Sequence, residues 1–352
     1  MIHSTLPPSP DRASASRQHL VRQITACWRT QVLHAAVQID LPDQLANGPA
    51  EMSSLAQACQ CEPDGLQRLL RALCVLRVCR ERRDGRYELT AAGDALRRDP
   101  SDGAGSLRAL ALWWGDAMWP MWGDLTYSVR TGQSARSRQT GTQNYAFLDK
   151  QPSVANLFHD AMQAMTALIT SDVVRLATWR DVHSVVDIGG GNGTLAAALA
   201  TAHPPMHVTV LDRPDAEPSA GSPFAELTQN GRASFVQGDF FVTVPAGAER
   251  YVLKSILHNW DDAACGRILA TCAAAVGPKA RLLVIERIRP DRLKASRHDE
   301  ALVRTDLNML AGLGGRERSE GEFRDLLKLG GFEMLSVSPT RHEFSVIEAK
   351  RV

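Results

Sequence analysis

Four glycines stand within five positions, directly after an apolar run that contains an acid. Residues 185–194 read VVDIGGGNGT, and Gly189, Gly191 and Gly193 can take positive φ, which lets the backbone approach a ligand closely. A helix-forming run at residues 195–200 comes next. The stretch therefore predicts a strand, a glycine turn and a helix, the unit that holds a nucleotide at a helix N-terminus.

Two classes of nucleotide ligand use such a turn. Dinucleotide enzymes have the pattern G-x-G-x-x-G, but the sixth position counted from Gly189 is Thr194. Asp187 precedes the glycines, and a carboxylate there repels a phosphate but can receive an ammonium group. S-adenosylmethionine has an amino-acid end and no phosphate, so the pattern favours this cofactor. The alternative is a glycine-rich turn without a ligand, and the following strands count against it.

Acids end the next two predicted strands as well. Asp212 ends the run at residues 207–212, 19 positions after Gly193, the distance at which a second-strand carboxylate meets ribose hydroxyls. Asp239 and Phe240 end the run at residues 234–240. The acid can accept a hydrogen bond from an adenine amino group, and the ring can pack on the base. One such acid alone could be a loop cap, but two at successive strand ends favour nucleoside binding.

A histidine follows the fourth predicted strand, at residues 250–254. His258 is therefore expected on the ligand side of the sheet, where an imidazole can act as a general base near pH 7. A phenol, with a pKa of about 10, attacks a sulfonium methyl group well only as its proton leaves. Glu286 and Glu317 are both candidates to hold the other ring nitrogen. Because no His/Asp cluster has metal-ligand spacing, no metal is predicted.

Strand and helix signals alternate through the carboxyl-terminal half. A fifth strand is predicted at residues 282–286, and residues 332–337 and 344–347 form a closing strand pair. We expect an α/β fold, a Rossmann-like, mostly parallel sheet over residues 181–352 with ligands at the carboxyl ends of the strands.

The amino-terminal third predicts helices followed by a hairpin. Helices are expected over residues 17–39, 55–59 and 66–76, and Asp84 and Gly85 form a hairpin turn. This winged-helix pattern, over residues 17–100, is typical of DNA binding or of a dimerisation module. Several arginines keep the first alternative open: Arg68, Arg71, Arg77, Arg80, Arg82 and Arg83. The enzymatic character of the remaining chain favours dimerisation.

A helical connecting region is predicted between these domains, over residues 101–180. Residues 131–144 are polar and indicate a loop, whereas residues 153–165 indicate a helix that carries Phe158 and Met162. These two side chains can line a flat ligand or belong to an ordinary core. Residues 1–16, rich in proline and serine, are expected to be a disordered leader.

Composition narrows the class of protein. The chain has 352 residues, 44% of them hydrophobic, and a formal net charge of +1, which gives no reason to expect nucleic acid as a partner. Its apolar runs are shorter than the ~20 residues of a membrane span. Seven scattered cysteines without a CxxC pair indicate reduced thiols in a cytoplasmic protein.

Six motifs together resemble one family. Residues 187–193, 210–214, 238–241, 253–262, 284–287 and 314–323 have the order and spacing of the caffeic-acid/carminomycin type of S-adenosylmethionine-dependent O-methyltransferases. The likeness covers residues 18–352 and implies a class I methyltransferase fold, a winged-helix-like dimerisation domain and a homodimer. By position it implies cofactor contacts at Gly189, Asp212, Asp239, Phe240 and Lys254, a general base at His258 flanked by Glu286 and Glu317, and an acceptor pocket at Phe158, Met162, Asn308 and Met309.

We therefore expect methyl transfer from S-adenosylmethionine, with S-adenosylhomocysteine as product, to a hydroxyl of an aromatic, polycyclic secondary metabolite such as a phenazine or polyketide. The sequence departs from the family pattern at Asn259, where an acid is common, and at residues 312–314, which leaves the acceptor's identity open. Two alternatives stay open: N-methylation of a heteroaromatic acceptor, and a non-catalytic winged-helix regulator.

Overall fold

The amino-terminal part of the chain folds into helices and one hairpin. The structure is a computed structural model that describes residues 10–352, and the chain divides into two compact units between Asp116 and Ala117. The helices of the first unit are α1 (Pro10–Ile24), α2 (Trp28–Gln38), α3 (Leu41–Gln44), α4 (Met52–Ala58), α5 (Pro63–Val75), α6 (Ala91–Asp94) and α7 (Arg108–Leu112). Strands β1 (Cys79–Glu81) and β2 (Tyr87–Leu89) pair antiparallel.

Helix α5 shows why this unit folds as the sequence predicts. Its amino end is capped by the Glu62 carboxylate, which accepts hydrogen bonds from the backbone N–H groups of Asp64 and Gly65, satisfying donors that a helix start leaves open. Three leucines on one stripe are buried against the other helices and the hairpin: Leu66, Leu70 and Leu73. The predicted order of helix, helix and hairpin is present.

Two predictions at the amino end are wrong. The helix expected over residues 17–39 is two helices, because residues 25–27 form a tighter turn in which the N–H of Trp28 bonds to the carbonyl of Thr25. Of the leader expected at residues 1–16, positions 1–9 lie outside the described residues, and the remainder belongs to α1. The proline at position 10 stands at the helix start, where a missing N–H costs nothing.

The second unit holds more helices and the large sheet. A π-helical turn at Trp113–Ala117 precedes it. Its helices are α8 (Trp119–Gly123), α9 (Leu125–Thr131), α10 (Ala135–Thr140), α11 (Ala146–Asp149), α12 (Pro152–Val174), α13 (Thr194–Ala202), α14 (Pro223–Gln229), α15 (Asp262–Ala275), α16 (Arg297–Gly312) and α17 (Glu320–Leu329). Its strands are β3 (Ser184–Ile188), β4 (His207–Asp212), β5 (Ala233–Gln237), β6 (Arg250–Lys254), β7 (Arg281–Arg287), β8 (Phe332–Pro339) and β9 (Phe344–Arg351). Short 3₁₀ turns lie at Ala177–Trp179, Pro214–Ala216 and Leu257–Asn259.

The seven strands form one twisted sheet in the order β5-β4-β3-β6-β7-β9-β8. The first five are parallel, and β9 is antiparallel to both β7 and β8. Buried apolar side chains cover both faces, one cluster including α15 and α17 and the other α12 and α13. The predicted open, mostly parallel α/β sheet is confirmed, and its strand order reverses between β3 and β6, where ligands of such sheets bind.

Two predictions in the connecting region are wrong. Residues 131–144 contain helix α10, whose start is capped by the Ser134 hydroxyl accepting from the N–H of Ser137; the serine signal is short and lies in a polar stretch. The helix expected at residues 153–165 extends to Val174, since no proline or glycine interrupts residues 153–174.

Among the helices between residues 10 and 352, none is both long enough and apolar enough to cross a membrane.

Gly93 offers a test of the packing in the first unit. A Cβ at this position would lie 2.1 Å from the carbonyl oxygen of Val78 and 2.9 Å from Cδ2 of Leu89. We expect Gly93→Ala to lower the free energy of unfolding by about 1–3 kcal/mol, measured by urea denaturation, because the hairpin must move.

The control is Gly65→Ala in α5, where the new Cβ meets only the tip of the Glu62 side chain at 3.4 Å. Alanine is the better helix former by about 1 kcal/mol, so no loss is expected. Equal effects of the two variants would contradict the packing described here.

Candidate active site

In the glycine turn after β3 the backbone lies so close to neighbouring side chains that only glycine fits. Gly189 and Gly193 have φ of 68° and 78°, and a Cβ at either would lie 2.4 Å from a side-chain atom of Ile256 or Phe224. The N–H of Gly191 donates to Oδ2 of Asp212 at 2.6 Å. The turn therefore joins the carboxyl ends of β3 and β4 and leaves backbone exposed to a ligand.

Asp187 is a buried acid whose bonding is incomplete. Its side chain is 2% exposed, and neither carboxylate oxygen has a hydrogen-bond partner among the described residues. Burial raises the pKa of Asp187 to about 7, against the opposing effect of the Lys254 ammonium. An orphaned carboxylate at a glycine turn fits the ammonium end of S-adenosylmethionine, because a cation there would supply the missing partner.

The other predicted cofactor residues lie around the same edge. Asp212 accepts hydrogen bonds from the N–H groups of Gly191 and Arg213, and burial raises its pKa. Asp239 is exposed and accepts from the N–H of Phe241 at 2.8 Å. Burial lowers the pKa of Lys254 to about 8, although Asp187 acts in the opposite direction.

Aromatic side chains cluster beside these acids. The indole of Trp260 lies edge-on to the rings of Phe240 and Phe241, with centroids 6.3 and 4.8 Å apart. Tyr145 is 6.3 Å from Trp260 and 5.7 Å from Phe158. Sequence reasoning missed Trp260 and Tyr145; the position of Trp260, two residues after His258, was the available signal. The cluster offers flat apolar faces to a planar ligand.

His258 lies between the two acids that the sequence left as alternatives. Its Nδ1 is 3.1 Å from Oε1 of Glu317 and 3.6 Å from Oε2 of Glu286. The backbone N–H of His258 donates to Oε1 of Glu286 at 3.3 Å. Glu317 thus makes the side-chain hydrogen bond, while Glu286 holds the backbone and adds charge. All three residues are buried.

The charges in this cluster are unequal. Burial by itself lowers the pKa of His258, but Glu286 and Glu317 more than offset that effect, so the pKa is raised. Burial raises the pKa of Glu286. Burial also acts upward on Glu317, yet the neighbouring imidazole of His258 and the Arg287 cation prevail and lower its pKa. Glu317 is therefore the carboxylate that stays ionised beside the imidazole.

A buried arginine holds the histidine segment in place. The Arg318 guanidinium, fully buried, donates at 2.8 Å to the carbonyl oxygens of Leu257 and Trp260 and also bonds to Asp262. Asn259 donates from its side-chain amide to the carbonyl of Ser255 at 2.8 Å. Arg318 was missed because the two carbonyls that it binds are 61 and 58 positions away in the sequence.

The same three side chains have the composition of a metal site. Ligand atoms of His258, Glu286 and Glu317 lie within 4.8 Å of one another. The sequence argument against a metal considered only local spacing, and the fold brings these distant residues together. One imidazole and two carboxylates suit Zn²⁺ or Fe²⁺ as well as acid–base chemistry.

The comparisons with known proteins decide between the possible ligand classes. Residues 122–333 match the model of an O-methyltransferase domain, and residues 21–99 match that of an O-methyltransferase dimerisation domain. The O-demethylpuromycin-O-methyltransferase of Streptomyces alboniger is 36% identical, over 94% of this chain and 89% of that protein. The chain belongs to the O-methyltransferase family. It is an S-adenosylmethionine-dependent methyltransferase whose amino-terminal helical unit is a dimerisation domain.

Two further relatives of this methyltransferase are named with different aromatic compounds. The phenazine-1-carboxylate N-methyltransferase of Pseudomonas aeruginosa is 29% identical, over 96% of this chain and 98% of that protein. A crystal structure of the O-methyltransferase NcsB1 from neocarzinostatin biosynthesis, with S-adenosylmethionine and 2-hydroxy-5-methyl naphthoic acid, has a TM-score of 0.74 and 31% identity. That match covers 92% of this chain and 96% of the other.

The four side chains expected around the acceptor lie on two helices of this methyltransferase. Phe158 and Met162 are on α12, and Phe158 belongs to the aromatic cluster. Asn308 and Met309 are on α16. The amide oxygen Oδ1 of Asn308 is buried without a hydrogen-bond partner among the described residues, which makes it the one of the four with an unused polar group.

A cavity of about 770 Å³ lies between α12 and α13 and borders the glycine turn at Asn192 and Gly193. Its lining includes Gln163, Asn192 and Phe224 but none of His258, Glu286 or Glu317. The buried polar cluster of His258, Glu286 and Glu317 is therefore separate from this cavity.

Asp187 provides a test of the cofactor side in the ligand-free methyltransferase. Its pKa of about 7 lies above the ordinary 3.8, so the folded state holds this proton more tightly and loses stability as pH rises from about 4 through 7. Asp187→Asn removes that loss. Relative to wild type, its unfolding free energy should gain up to about 4 kcal/mol between pH 4 and pH 8.

Urea denaturation at both pH values measures this gain. Asp291→Asn, at an exposed position, is the control, and its difference from wild type should stay constant. A constant difference for Asp187→Asn as well would contradict the buried, uncompensated carboxylate.

Proposed function

We propose that this methyltransferase methylates a phenolic hydroxyl of an aromatic, polycyclic acceptor, with His258 as the general base. The observation that carries the proposal is the buried hydrogen bond, 3.1 Å long, between Nδ1 of His258 and Glu317. S-adenosylmethionine, when bound, supplies an electrophilic methyl group on sulfur. The protein must then orient the acceptor and take its proton, because a neutral phenol is a weak nucleophile.

The hydrogen bond to Glu317 determines which nitrogen can act. The N–H at Nδ1 of His258 donates a hydrogen bond to the carboxylate. This tautomer leaves a lone pair on Nε2, which can accept the proton of an acceptor hydroxyl. The raised pKa of His258 strengthens it as a base, and ionised Glu317 stabilises the imidazolium that forms. Glu286 acts through the backbone N–H of His258 and keeps the segment in position.

Cofactor binding is assigned to the glycine turn and the neighbouring strand ends. Asp187 would receive the ammonium group, and the backbone of Gly189 and Gly191 would approach the ligand. Asp212 would accept from ribose hydroxyls. Lys254, a cation on the adjacent strand, would attract the carboxylate end. Asp239 and Phe240 would hold the adenine ring by a hydrogen bond and by packing.

An aromatic acceptor is supported by the aromatic cluster and by the relatives. Phe158 and Met162 would contact the flat faces of the acceptor, and Met309 its edge. The unpaired Oδ1 of Asn308 would accept a hydrogen bond from a hydroxyl or amino group. The names of three relatives contain puromycin, phenazine and naphthoic acid, and all three compounds contain aromatic rings.

N-methylation is the second candidate, favoured by the similarity to a phenazine-1-carboxylate N-methyltransferase. A ring nitrogen with a free lone pair needs no base, so His258 would be dispensable in that reaction. A non-catalytic DNA-binding regulator has less support, because arginines of the hairpin and α5 are paired with acids: Arg68 with Asp64, Arg80 and Arg82 with Glu88, and Arg86 with Asp84.

His258→Gln tests the base. With S-adenosylmethionine and a panel of aromatic phenols, we expect kcat to fall by about 10²–10⁴-fold, while KM for S-adenosylmethionine changes only a few-fold, since the imidazole is assigned to the acceptor proton. His183→Gln is the control, because His183 is exposed and also lies near an acid, Glu249. Methyl transfer is followed by mass spectrometry.

The same assay separates the alternatives. Full activity of His258→Gln on a heteroaromatic nitrogen, without turnover of phenols by wild type, would favour N-methylation. Loss of wild-type activity in EDTA, with recovery on adding Zn²⁺ or Fe²⁺, would replace the base by a metal centre. Failure to bind S-adenosylhomocysteine, together with salt-sensitive binding of duplex DNA, would favour the regulator.

We also infer that the protein is a homodimer through residues 17–100. Large apolar side chains of α1 and α2 are exposed in the single chain, among them Leu20, Val21, Ile24 and Trp28. Such a contiguous series on a surface indicates a protein contact. The match of residues 21–99 to a dimerisation domain identifies a second copy as the partner.

Ile24→Glu should weaken that dimer. Ile24 is 69% exposed in the single chain, and a charge buried at an interface without a partner is strongly unfavourable. We expect the dimer dissociation constant from analytical ultracentrifugation to rise at least tenfold, whereas Leu329→Glu, at a more exposed apolar position of the other unit, should leave it unchanged. A wild-type monomer at micromolar concentration would contradict the proposal.

A further inference from the structure

One face of the sheet carries a row of charges at its carboxyl edge. Side chains alternate between the two faces of a strand, so residues two positions apart share a face. Val185, Val252 and Ile285 are members of the core cluster next to α12 and α13. Asp187, Lys254 and Arg287, each two positions further along its strand, therefore lie on that same face. They stand on the adjacent strands β3, β6 and β7. Phe344 of β9 is a member of the same cluster and pairs directly with Arg287.

The two cations of this row contact one aromatic ring. Cζ of Arg287 lies 4.0 Å from the centroid of the Phe344 ring, and Nζ of Lys254 lies 5.8 Å from it. Both distances are within the range of cation–π attraction. Phe344 is 4% exposed and Arg287 is buried, while Lys254 is half-buried, so the contact between Arg287 and the ring is shielded from water, and cation–π attraction is strongest in such desolvated places.

Carboxylates do not neutralise these cations directly. Within residues 10–352, no carboxylate oxygen lies within 4.0 Å of the Lys254 or Arg287 nitrogens. Nζ of Lys254 reaches only the Ser255 hydroxyl at 3.5 Å, and the buried Nε of Arg287 has no hydrogen-bond partner. Burial lowers the pKa of both groups, and the Arg287 cation lowers the pKa of Lys254 further.

The ring face therefore adds, at short range, to the longer-range attraction of Asp187 and Glu286 for Lys254 and of Glu317, Glu343 and Glu286 for Arg287. Its negative quadrupole attracts both cations and offsets part of their mutual repulsion. A leucine of similar size would fill most of the space but would offer no negative face. The Lys254 ammonium would then move toward solvent or lose its proton.

We propose that Phe344 is a positioning residue of the cofactor site, whose ring holds the Lys254 ammonium at the sheet edge between Asp187 and Arg287. This inference rests on the proposed role of Lys254 in binding the cofactor. Phe344 itself acts only through Lys254 and Arg287, so its effect is expected on cofactor affinity and not on the proton transfer at His258, which lies with Glu286 toward the opposite face.

The test compares S-adenosylhomocysteine binding by isothermal calorimetry in matched variants. Phe344→Leu should raise the dissociation constant roughly tenfold, with kcat at saturating S-adenosylmethionine changed less than about threefold. Phe344→Tyr, which keeps the ring face, should restore affinity. The control is Phe332→Leu, an equally buried phenylalanine in the other core cluster, which should lower thermal stability without changing affinity.

A second variant guards against misfolding of Phe344→Leu. Replacing Phe344 by 3,5-difluorophenylalanine keeps the size of the ring and weakens its negative face, so affinity should fall while the unfolding temperature stays near that of wild type. Unchanged affinity in this variant, or equal losses in Phe344→Leu and Phe332→Leu, would overturn the inference. Absence of binding by wild type would instead overturn the proposed cofactor site itself, and with it the role of Phe344.

Discussion

The burial of charge at the carboxyl edge of the sheet is the constraint on which this site depends. Taking an ion out of water costs several kcal/mol even after the protein relaxes, and this edge buries Asp187, Arg287 and the cluster of His258, Glu286 and Glu317, while Lys254 is half-buried. The cluster of His258, Glu286 and Glu317 is compensated in part, because an imidazole stands between two carboxylates, although Oε2 of each glutamate has no hydrogen-bond partner among residues 10–352. Asp187 is not, since both of its oxygens lack partners. In the proposed cofactor site a cationic ligand group supplies the partner that Asp187 lacks, so that cofactor affinity and the instability of the ligand-free protein would have the same physical origin.

The fold meets this constraint by distributing the charges over two faces. Alternation along β7 sends Glu286 toward the histidine and Arg287 toward the cofactor residues. Neighbouring positions in the sequence thus serve different parts of the reaction. The histidine segment is further fixed by Arg318, whose guanidinium binds two backbone carbonyls, and by Gly315, where a Cβ would lie 2.0 Å from the carbonyl oxygen of His258. These contacts limit the movement of the imidazole and preserve its hydrogen bond.

Sequence reasoning predicted the parts of this arrangement that are local. The glycine turn, the acids at strand ends and the parallel sheet follow from patterns within about ten residues, and the sheet and the methyltransferase family are confirmed. The choice between Glu286 and Glu317 was out of reach, because it depends on how strand β7 and the segment before α17, 28 and 59 positions from His258, come together. Arg318 was missed for the same reason. The turn at residues 25–27 and helix α10 were missed because each depends on one local hydrogen bond, from the Trp28 N–H to the Thr25 carbonyl and from the Ser137 N–H to the Ser134 hydroxyl. Polar stretches contain many residues that can form such bonds.

Physical separation of the two faces also bears on how acceptors can change within such a fold. The cofactor residues lie on strands and their immediate ends, where the register of the sheet fixes them. Phe158 and Met162 lie on α12, and Asn308 lies on α16, so acceptor contacts depend on helix surfaces that can vary without disturbing the register. The departure at Asn259 fits this division, since its amide bonds to the carbonyl of Ser255 and serves the backbone. Under the proposed assignment, acceptor choice therefore depends on a few helix side chains, whereas the proposed cofactor residues are tied to the sheet that folds the domain.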